Sequence, residues 1–400
     1  MLARMLEEAE KQSGDIIELR RYFHSFPELS WEEVQTTSRI KEILEGMGFE
    51  NIRTGFGGTE CGLTAELTGK PEGPCVALRA DIDALPLQEE NDVPYRSRKD
   101  GVMHACGHDA HAAMLLGAAR ILAGMKDEIP GKVKLIFQPG EEAGFNSGAE
   151  TMIREGALEG VDAVGGLHIW SNVPSGEVGF RKGAIMASAD VWEVEIQGKG
   201  GHGSMPHKAV DPTIAAATII TTVQTVVSRE LDPQETVVVS LGQIEAGTAP
   251  NIIPERAVLK GSIRTTSPAV REALPEKIER IMKGICEALR CRGNLVYTNI
   301  YPVTVNDPEI TDMAVNMAEE MLGKECVKEA DLVMGSEDFS YYEEQVPGTF
   351  FFLGSGNPEK GTEEQHHSPR FNVDEDVLYK GAALLAGFAW TYLDRSSGEK

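Results

Sequence analysis

Apolar, strand-like segments of this chain end directly in clusters of acidic or histidine side chains. Three such segments, with the residues that follow them, are Cys75–Ala80 (Asp81), Lys132–Phe137 (Glu141, Glu142) and Val161–Leu167 (His168). Helical patterns separate these segments, and this alternation predicts an α/β fold with a mainly parallel sheet. Open α/β sheets place their active sites at the carboxyl ends of the strands. We therefore expect the polar clusters to meet at one edge of the sheet.

The stretch Met103–His111 has the highest density of candidate metal ligands. Cys106 and His108 are two residues apart, so on a helix their side chains would diverge by about 200°, whereas in an extended loop both could face one ion. A helix is predicted to follow over 109–125, with Asp109 as its N-cap. The positive end of that helix would favour the thiolate of Cys106. A buried free cysteine beside a structural histidine is the alternative interpretation of this stretch alone.

The pattern changes between residues 187 and 299. Alternating strands near 191–197, 236–244, 257–264 and 294–300 are interleaved with helices over 211–229 and 267–289. This βαββαβ order predicts a ferredoxin-like, four-stranded antiparallel sheet with two helices on one face. No flexible linker marks either end. We therefore expect an inserted lid domain (187–299) within a discontinuous catalytic domain (1–186 and 300–400).

The outer parts of the chain contribute further predicted elements. Residues 1–47 are predicted to form two amphipathic helices, and later elements are a helix over 308–322, a strand over Thr349–Leu353 and a C-terminal helix over 374–393.

Composition limits the partners and the location of the protein. A net charge of −25 disfavours nucleic acid and anionic membranes. The six cysteines show no framework spacing, which favours a reducing compartment. The N-terminus turns acidic too early for a signal peptide, and the longest apolar run, Ala382–Trp390, is too short to span a bilayer. We expect a cytoplasmic protein with no nucleic-acid or membrane partner.

The candidate ligands come from separate segments of the chain. They are Cys106, His108, one of Glu141 and Glu142, His168, and one of His366 and His367. A structural zinc site would use four ligands, usually in close cysteine pairs. This larger set suits two ions that share one bridging ligand. The side chains of adjacent glutamates diverge, so one would be a ligand and the other a general base.

Motifs in a fixed order cover nearly the whole length. They are His24-x-x-Pro27-Glu28-Leu29, Arg79-Ala-Asp81-x-Asp83-Ala-Leu-Pro86, His104-Ala-Cys106-Gly-His108-Asp109, Gln138-Pro-Gly-Glu141-Glu142, Gly200-Gly-His202-Gly-x-x-Pro206-His207, Gly247-x-x-x-Asn251-x-x-Pro254, Gly335-Ser-Glu337-Asp338-Phe339 and His367-x-Pro369. In these motifs the chain resembles the M20 metallopeptidase/amidohydrolase family. Within that family it resembles the N-acyl-amino-acid amidohydrolases, which include hippurate hydrolases, auxin-conjugate hydrolases and N-acetyldiaminopimelate deacetylase.

The resemblance implies a ligand set and a base. Cys106 would be the bridging thiolate, and the two metal shells would be completed by His108, Glu142, His168 and His367. Glu141 resembles the family's general base, which takes a proton from the attacking water and later protonates the departing amine. Asp81 and Asp83 are expected to orient ligand histidines.

The resemblance also implies roles for the inserted domain. His202 resembles the histidine that reaches into the partner subunit's site to stabilise the oxyanion. Asn251 and Arg264 resemble the groups that hold the substrate's free carboxylate. The inserted domain is the family's dimerisation face, which predicts a homodimer or higher homo-oligomer.

The predicted function is metal-dependent hydrolysis of the amide bond of N-acyl-L-amino acids, with two divalent ions per subunit. Zinc or manganese is expected, and cobalt and nickel stay open. One alternative is a dipeptidase or carboxypeptidase with the same metals. The others are a cysteine hydrolase with Cys106 as nucleophile and a metal-dependent binding protein without turnover.

Overall fold

Strands and helices alternate along most of the chain, as the apolar segments predict. The computed structural model describes residues 1–398. The strands are β1 (Glu50–Thr54), β2 (Leu63–Thr68), β3 (Cys75–Asp81), β4 (Lys132–Gln138), β5 (Ala163–Pro174), β6 (Val178–Phe180), β7 (Gly183–Met186), β8 (Ala189–Gln197), β9 (Gly201–His202), β10 (Val237–Ala246), β11 (Ile252–Ile253), β12 (Arg256–Thr265), β13 (Arg292–Tyr301), β14 (Thr304–Asn306), β15 (Val327–Glu329) and β16 (Gly348–Gly356). The α-helices are α1 (Leu2–Lys11), α2 (Ser13–Ser25), α3 (Val34–Gly46), α4 (His108–Ala123), α5 (Gly148–Arg154), α6 (Pro212–Thr225), α7 (Pro268–Ala288), α8 (Pro308–Leu322), α9 (Ser340–Glu343) and α10 (Leu378–Gly398).

The chain divides into two units. Met1–Ile185, Val305–Asp331 and the residues from Asp338 onward form the first unit, and Met186–Thr304 with Leu332–Glu337 form the second. The short segment Leu332–Glu337, which the sequence prediction assigned to the outer domain, therefore belongs to the second unit.

The first unit is built on an eight-stranded sheet in the order β1-β2-β4-β3-β5-β16-β6-β15. Its centre, β4-β3-β5-β16, is entirely parallel. Every residue of β3 is buried, as expected for a strand covered on both faces. The carboxyl ends of β3, β4 and β5 therefore meet at one edge, and the candidate residues lie at that edge.

Helix α4 is the most deeply buried helix near this edge. It contacts α10, α2 and β3. Its own side chains, mostly alanine and leucine, are buried on nearly all faces of the helix, which is typical of a helix inside a core. This helix carries His108 in its first turn and therefore fixes that residue against the sheet.

The second unit has a four-stranded antiparallel sheet in the order β10-β12-β8-β13. Helices α6 and α7 supply most of its core together with the inward side chains of the strands. The predicted fold class, a mainly parallel α/β sheet with a separate βαββαβ unit, is confirmed.

Two helix predictions were wrong. The first 46 residues contain three α-helices rather than two, because α1 ends at Lys11 and α2 begins at Ser13 with a single residue between them. The C-terminal α-helix begins at Leu378 rather than 374, because Asp374 caps a separate 3-10 turn over Glu375–Val377. None of the described helices is long and apolar enough to cross a membrane.

Candidate metal centre

The turn before α4 places two candidate ligands side by side. Gly107 precedes the helix with φ of 93°, and a Cβ atom there would lie 2.4 Å from Cγ2 of Ile169. Only glycine fits this position without strain. Because the chain turns sharply at Gly107, Cys106 stays in the loop while His108 begins the helix.

The prediction of Asp109 as the N-cap was wrong. Gly107 occupies that position, and Asp109 lies inside the first turn with its carboxylate fully buried. Its Oδ2 accepts a hydrogen bond from Nε of Arg20 at 2.8 Å and lies 2.7 Å from Nδ1 of His24. Nε2 of His24 in turn lies 3.1 Å from Oε1 of Glu89. The carboxylate of Asp109, which local spacing assigned to capping the helix, therefore binds Arg20 and His24, two residues far away in the sequence.

The candidate ligand atoms lie together in the first unit. Sγ of Cys106 is 3.5 Å from Nε2 of His168. Overlapping groups of donor atoms, each group within 4.8 Å, are Cys106–His108–His168, Cys106–Glu142–His367 and His108–Glu141–Glu142. Because these groups share members, the five proposed ligands and the proposed base form one continuous cluster.

The donors in this cluster fit a pair of divalent cations. Nε2 of His108 is buried and has no hydrogen-bond partner among the described residues. A buried polar atom without a partner is costly, and a cation would satisfy it. A thiolate, imidazoles and carboxylates together suit ions such as zinc or manganese. Cys106 belongs to one group with His108 and His168 and to another with Glu142 and His367, so it lies between the other proposed ligands.

Asp83 supports two of these ligands at once. Its Oδ1 lies 3.0 Å from Nδ1 of His108, and its Oδ2 accepts the backbone N–H of Glu142 at 2.9 Å. Ser30 donates its hydroxyl to the same Oδ2 at 2.7 Å. Burial alone would raise the pKa of Asp83, but these hydrogen bonds lower it, so the carboxylate is ionised. The prediction that Asp83 orients a ligand histidine agrees with this geometry.

Asp81 binds His111, which is not one of the proposed metal ligands. Its Oδ1 contacts Nδ1 of His111 at 2.5 Å, and Nε2 of His111 accepts the backbone N–H of Ile169 at 2.8 Å. Since Nε2 is an acceptor, the proton of His111 resides on Nδ1. His111 therefore ties α4 to β5 next to His168, whose ring centroid is 4.5 Å away. Sequence spacing gave no indication of this link.

The imidazoles of the cluster differ in protonation. Burial and the neighbouring imidazoles of His111 and His366 hold the pKa of His168 well below its ordinary value, so its ring is neutral and able to bind metal. The pKa of His108 rises to about 10, because Asp81 and Asp83 outweigh its burial. A metal ion at His108 must therefore compete with a proton.

The adjacent histidines His366 and His367 have different surroundings. Nε2 of His366 donates to the backbone carbonyl of Ile169 at 2.9 Å, and burial lowers its pKa to about 4. Nε2 of His367 lies 3.0 Å from Oε1 of Glu142. His367 has φ of 65°, and its N–H donates to the carbonyl of Ala105. The geometry therefore favours His367 as the ligand.

The second unit holds the other proposed site residues. His202 and Asn251 line one cavity of about 860 Å³ together with Lys199 and Arg256. His202 pairs with Ile252 across the β9–β11 ribbon, and the backbone carbonyl of Asn251 accepts the N–H of Gly203 at 2.8 Å. The two residues named by the motifs are therefore neighbours.

Arg264 lies eight residues beyond Arg256 along β12, roughly 26 Å at the usual rise of a strand. Its Nη1 donates to the carbonyl of Met334 at 3.1 Å, and burial lowers its pKa. Within the second unit, Arg264 therefore does not line the cavity that contains His202 and Asn251.

The fold and the donor cluster define a metal-dependent hydrolase with room for two ions. Residues 77–391 match the profile of peptidase family M20/M25/M40. The chain belongs to this family, so the family identification made from the motifs is confirmed.

Curated relatives and a solved structure agree with this assignment. The chain is 42% identical over 375 residues to thermostable carboxypeptidase 1 of Saccharolobus solfataricus, covering 93% of this chain and 94% of the relative. It is 39% identical over 395 residues to an N-acetyl-L-cysteine deacetylase of Bacillus subtilis, covering 99% of this chain and 91% of the relative. A crystal structure of a dinuclear metal-binding M20 peptidase from Bacillus subtilis superposes with a TM-score of 0.84 at 35% identity, covering 96% of this chain and 98% of the other.

Proposed function

We propose that this enzyme hydrolyses the amide bond of N-acyl-L-amino acids and releases a carboxylic acid and a free amino acid. The observation that carries the proposal is the cluster in which Glu141 lies among the ligand atoms of Cys106, His108, Glu142, His168 and His367. Similarity to the N-acetyl-L-cysteine deacetylase, over nearly the full length of both chains, supports an N-acyl amino acid as substrate.

The donor geometry supports the roles that the family resemblance implies. Cys106, His108, Glu142, His168 and His367 would hold two divalent ions, with Cys106 as the ligand proposed to be shared. Two such ions, when bound, would polarise the scissile carbonyl and lower the pKa of a bound water. Glu141, with Oε2 4.0 Å from Nε2 of His108, takes the proton from the attacking water and delivers it to the departing amine.

The hydrogen bonding of His202 indicates which ring nitrogen carries its proton. Its Nδ1 accepts the backbone N–H of Ser204 at 3.1 Å, so the proton of the neutral ring is on Nε2. We assign this Nε2–H to the developing oxyanion and Asn251 to the substrate carboxylate. Arg264 remains a proposed carboxylate ligand, and because it lies far from Asn251 along its own chain, the two would reach one carboxylate from different subunits of a dimer. We further propose that His202 acts in the site of the partner subunit of a homodimer.

The native ions and the compartment are also proposals. The donors favour zinc or manganese, with cobalt and nickel as alternatives. The six cysteines form no disulfide bond in the structure, which supports the reducing cytoplasm as the location.

A carboxypeptidase is the second candidate, because the relative from Saccharolobus solfataricus carries that name. A panel of N-acetyl amino acids, N-benzoyl amino acids and dipeptides, assayed with metal-reconstituted enzyme, separates the two. We expect the highest kcat/KM on an N-acyl amino acid. Higher kcat/KM on dipeptides than on every N-acyl compound would favour the carboxypeptidase.

A further inference from the structure

The segment Ser30–Glu33 follows the His24-x-x-Pro27-Glu28-Leu29 motif and has no place in the chemistry described so far. Trp31 within it adopts φ of 67°, a left-handed conformation that is rare for a bulky residue. Such backbone strain persists only where the surroundings impose it, and it is concentrated at functional sites. The contacts of this segment explain why the conformation is maintained.

The side chains of this segment contact either one loop of the metal centre or Asp83, which supports that loop. This glutamate loop, residues 139–146, carries Glu141 and Glu142. The buried carboxylate of Glu33 accepts the N–H of Gly140 at 2.9 Å, immediately before the glutamates. The indole Nε1–H of Trp31 donates to the carbonyl of Asn146 at 2.7 Å, at the far end of the loop.

The third contact reaches the loop indirectly. The hydroxyl of Ser30 donates to Oδ2 of Asp83, the same oxygen that accepts the N–H of Glu142. Glu33 therefore restrains the loop before the glutamate pair, Ser30 restrains it at the pair through Asp83, and Trp31 restrains it after the pair.

Two glycines make the close approach of Trp31 possible. A Cβ atom at Gly140 would lie 2.7 Å from Nε1 of Trp31, and one at Gly57 would lie 2.8 Å from its Cζ3. Both glycines have positive φ, at 61° and 63°. The indole therefore lies directly on the backbone at the start of the glutamate loop, where a side chain at either position would exclude it.

The carboxyl group of Glu33 accepts its hydrogen bond from Gly140 in a largely uncharged state. Burial and the nearby charge of Asp83 raise its pKa to about 8, so below that pH it is largely an uncharged acid. Glutamine has the same shape and the same acceptor oxygen as the neutral acid. The substitution Glu33→Gln therefore isolates the role of the hydrogen bond from that of charge.

We propose that Ser30, Trp31 and Glu33 are positioning residues that hold the glutamate loop so that Glu142 faces the metal ions and Glu141 faces the substrate. The part of this inference that concerns proton transfer by Glu141 rests on the proposed function. The part that concerns metal binding by Glu142 is independent of it. If the loop loosens, Glu142 binds metal less tightly and Glu141 transfers protons less efficiently. The loss should appear in metal affinity and kcat, with little change in KM.

The test compares Trp31→Phe, Ser30→Ala, Glu33→Leu and Glu33→Gln in the full-length protein. Metal affinity is measured by competition with a chromophoric chelator, using Zn²⁺ and Mn²⁺ separately. Values of kcat and KM are measured on the best N-acyl substrate, and thermal unfolding is recorded with metal removed. Trp192→Phe is the matched control, because it also removes one indole hydrogen bond to a backbone carbonyl, that of Ser240, but in the second unit.

We expect Trp31→Phe and Glu33→Leu to lower metal affinity about 10-fold or more, the range seen when outer supports of metal ligands are removed. Ser30→Ala should lower it less, because Asp83 keeps its other partners. Glu33→Gln should retain affinity and kcat near the values of the unsubstituted protein, and Trp192→Phe should leave metal affinity unchanged.

The proposal is overturned if Trp31→Phe and Ser30→Ala both keep metal affinity within twofold of the unsubstituted protein, or if Trp192→Phe reduces it equally. Should Glu33→Leu fail to fold, Trp31→Phe and Ser30→Ala decide the question. An unsubstituted protein that binds two ions but cleaves no N-acyl compound would refute the proposed function alone, since the affinity comparison still stands.

Discussion

Replacing Asp83 by asparagine changes one atom in the support of two metal ligands. The carboxylate of Asp83 accepts from His108, from the backbone N–H of Glu142 and from Ser30. Asparagine offers a single acceptor oxygen. If that oxygen faces His108, the amide nitrogen faces the N–H of Glu142, and a buried donor is left without an acceptor.

The magnitude follows from these contacts. A buried unsatisfied donor costs about 1–3 kcal/mol, and loss of a support behind a metal ligand typically lowers metal affinity by roughly 10–100-fold. That factor corresponds to about 1.4–2.8 kcal/mol of binding free energy, so the two estimates agree. We expect Asp83→Asn to weaken binding of Zn²⁺ or Mn²⁺ by this factor in chelator competition.

Asp374→Asn is the matched control. Its buried carboxylate also accepts several hydrogen bonds, from Ser175, Asn357 and Lys360, but away from the metal ligands. Asp374→Asn should lower the free energy of unfolding in urea without changing metal affinity. The reasoning is refuted if Asp83→Asn binds metal within twofold of the unsubstituted protein, or if both variants lose affinity equally.

Three further predictions concern catalysis, assembly and pH. Glu141→Gln should keep both metal ions, by elemental analysis, and lose about 10²–10⁴-fold in kcat, because only the proton acceptor is removed. Mixing His202→Ala with Glu141→Gln should restore part of the activity, because hybrid dimers would contain one intact site. Asp109 and Glu89 raise the pKa of His24 above its ordinary 6.5, although burial and Arg20 oppose them. The stability that charged His24 supplies is therefore fully present below pH 6.5 and is lost as pH rises through the raised pKa. The difference in free energy of unfolding between the unsubstituted protein and His24→Gln, measured in urea with metal removed, should shrink over that range.

Each of these predictions has a contrary result. Loss of metal from Glu141→Gln would mean that the two glutamates have the opposite roles. Mixed dimers without recovered activity would indicate that His202 works within its own chain or not at all. A stability difference for His24→Gln that grows as pH rises above 6.5 would mean that His24 is buried as the neutral form.

The sequence predicted those parts of the site that depend on periodicity and on strand ends. The alternation of helices and apolar runs identified the parallel sheet, and the edge of that sheet brings Cys106, His168 and Glu142 together. The βαββαβ order of the second unit was equally clear, because its strands alternate and its helices begin with Asp-Pro and Ser-Pro.

Long-range partners could not be predicted in this way. Asp109 has the local features of a helix cap, yet Arg20 and His24 bind it from more than 80 residues away. The link from Asp81 through His111 to the backbone of Ile169 likewise joins three elements. Trp31 gave no local signal of its role, because the space for its indole is left by glycines at 57 and 140, which are distant in the sequence.

The most direct test of the two-ion site is metal reconstitution of the apoprotein. Protein stripped with a chelator is titrated with Zn²⁺ or Mn²⁺ while bound metal and hydrolysis of an N-acyl amino acid are followed together. We predict saturation at two ions per chain, with full activity reached only at the second equivalent, and a stoichiometry of one for Cys106→Ala. Full activity in metal-free protein, or unchanged two-ion binding by Cys106→Ala, would contradict a dinuclear centre bridged by this cysteine.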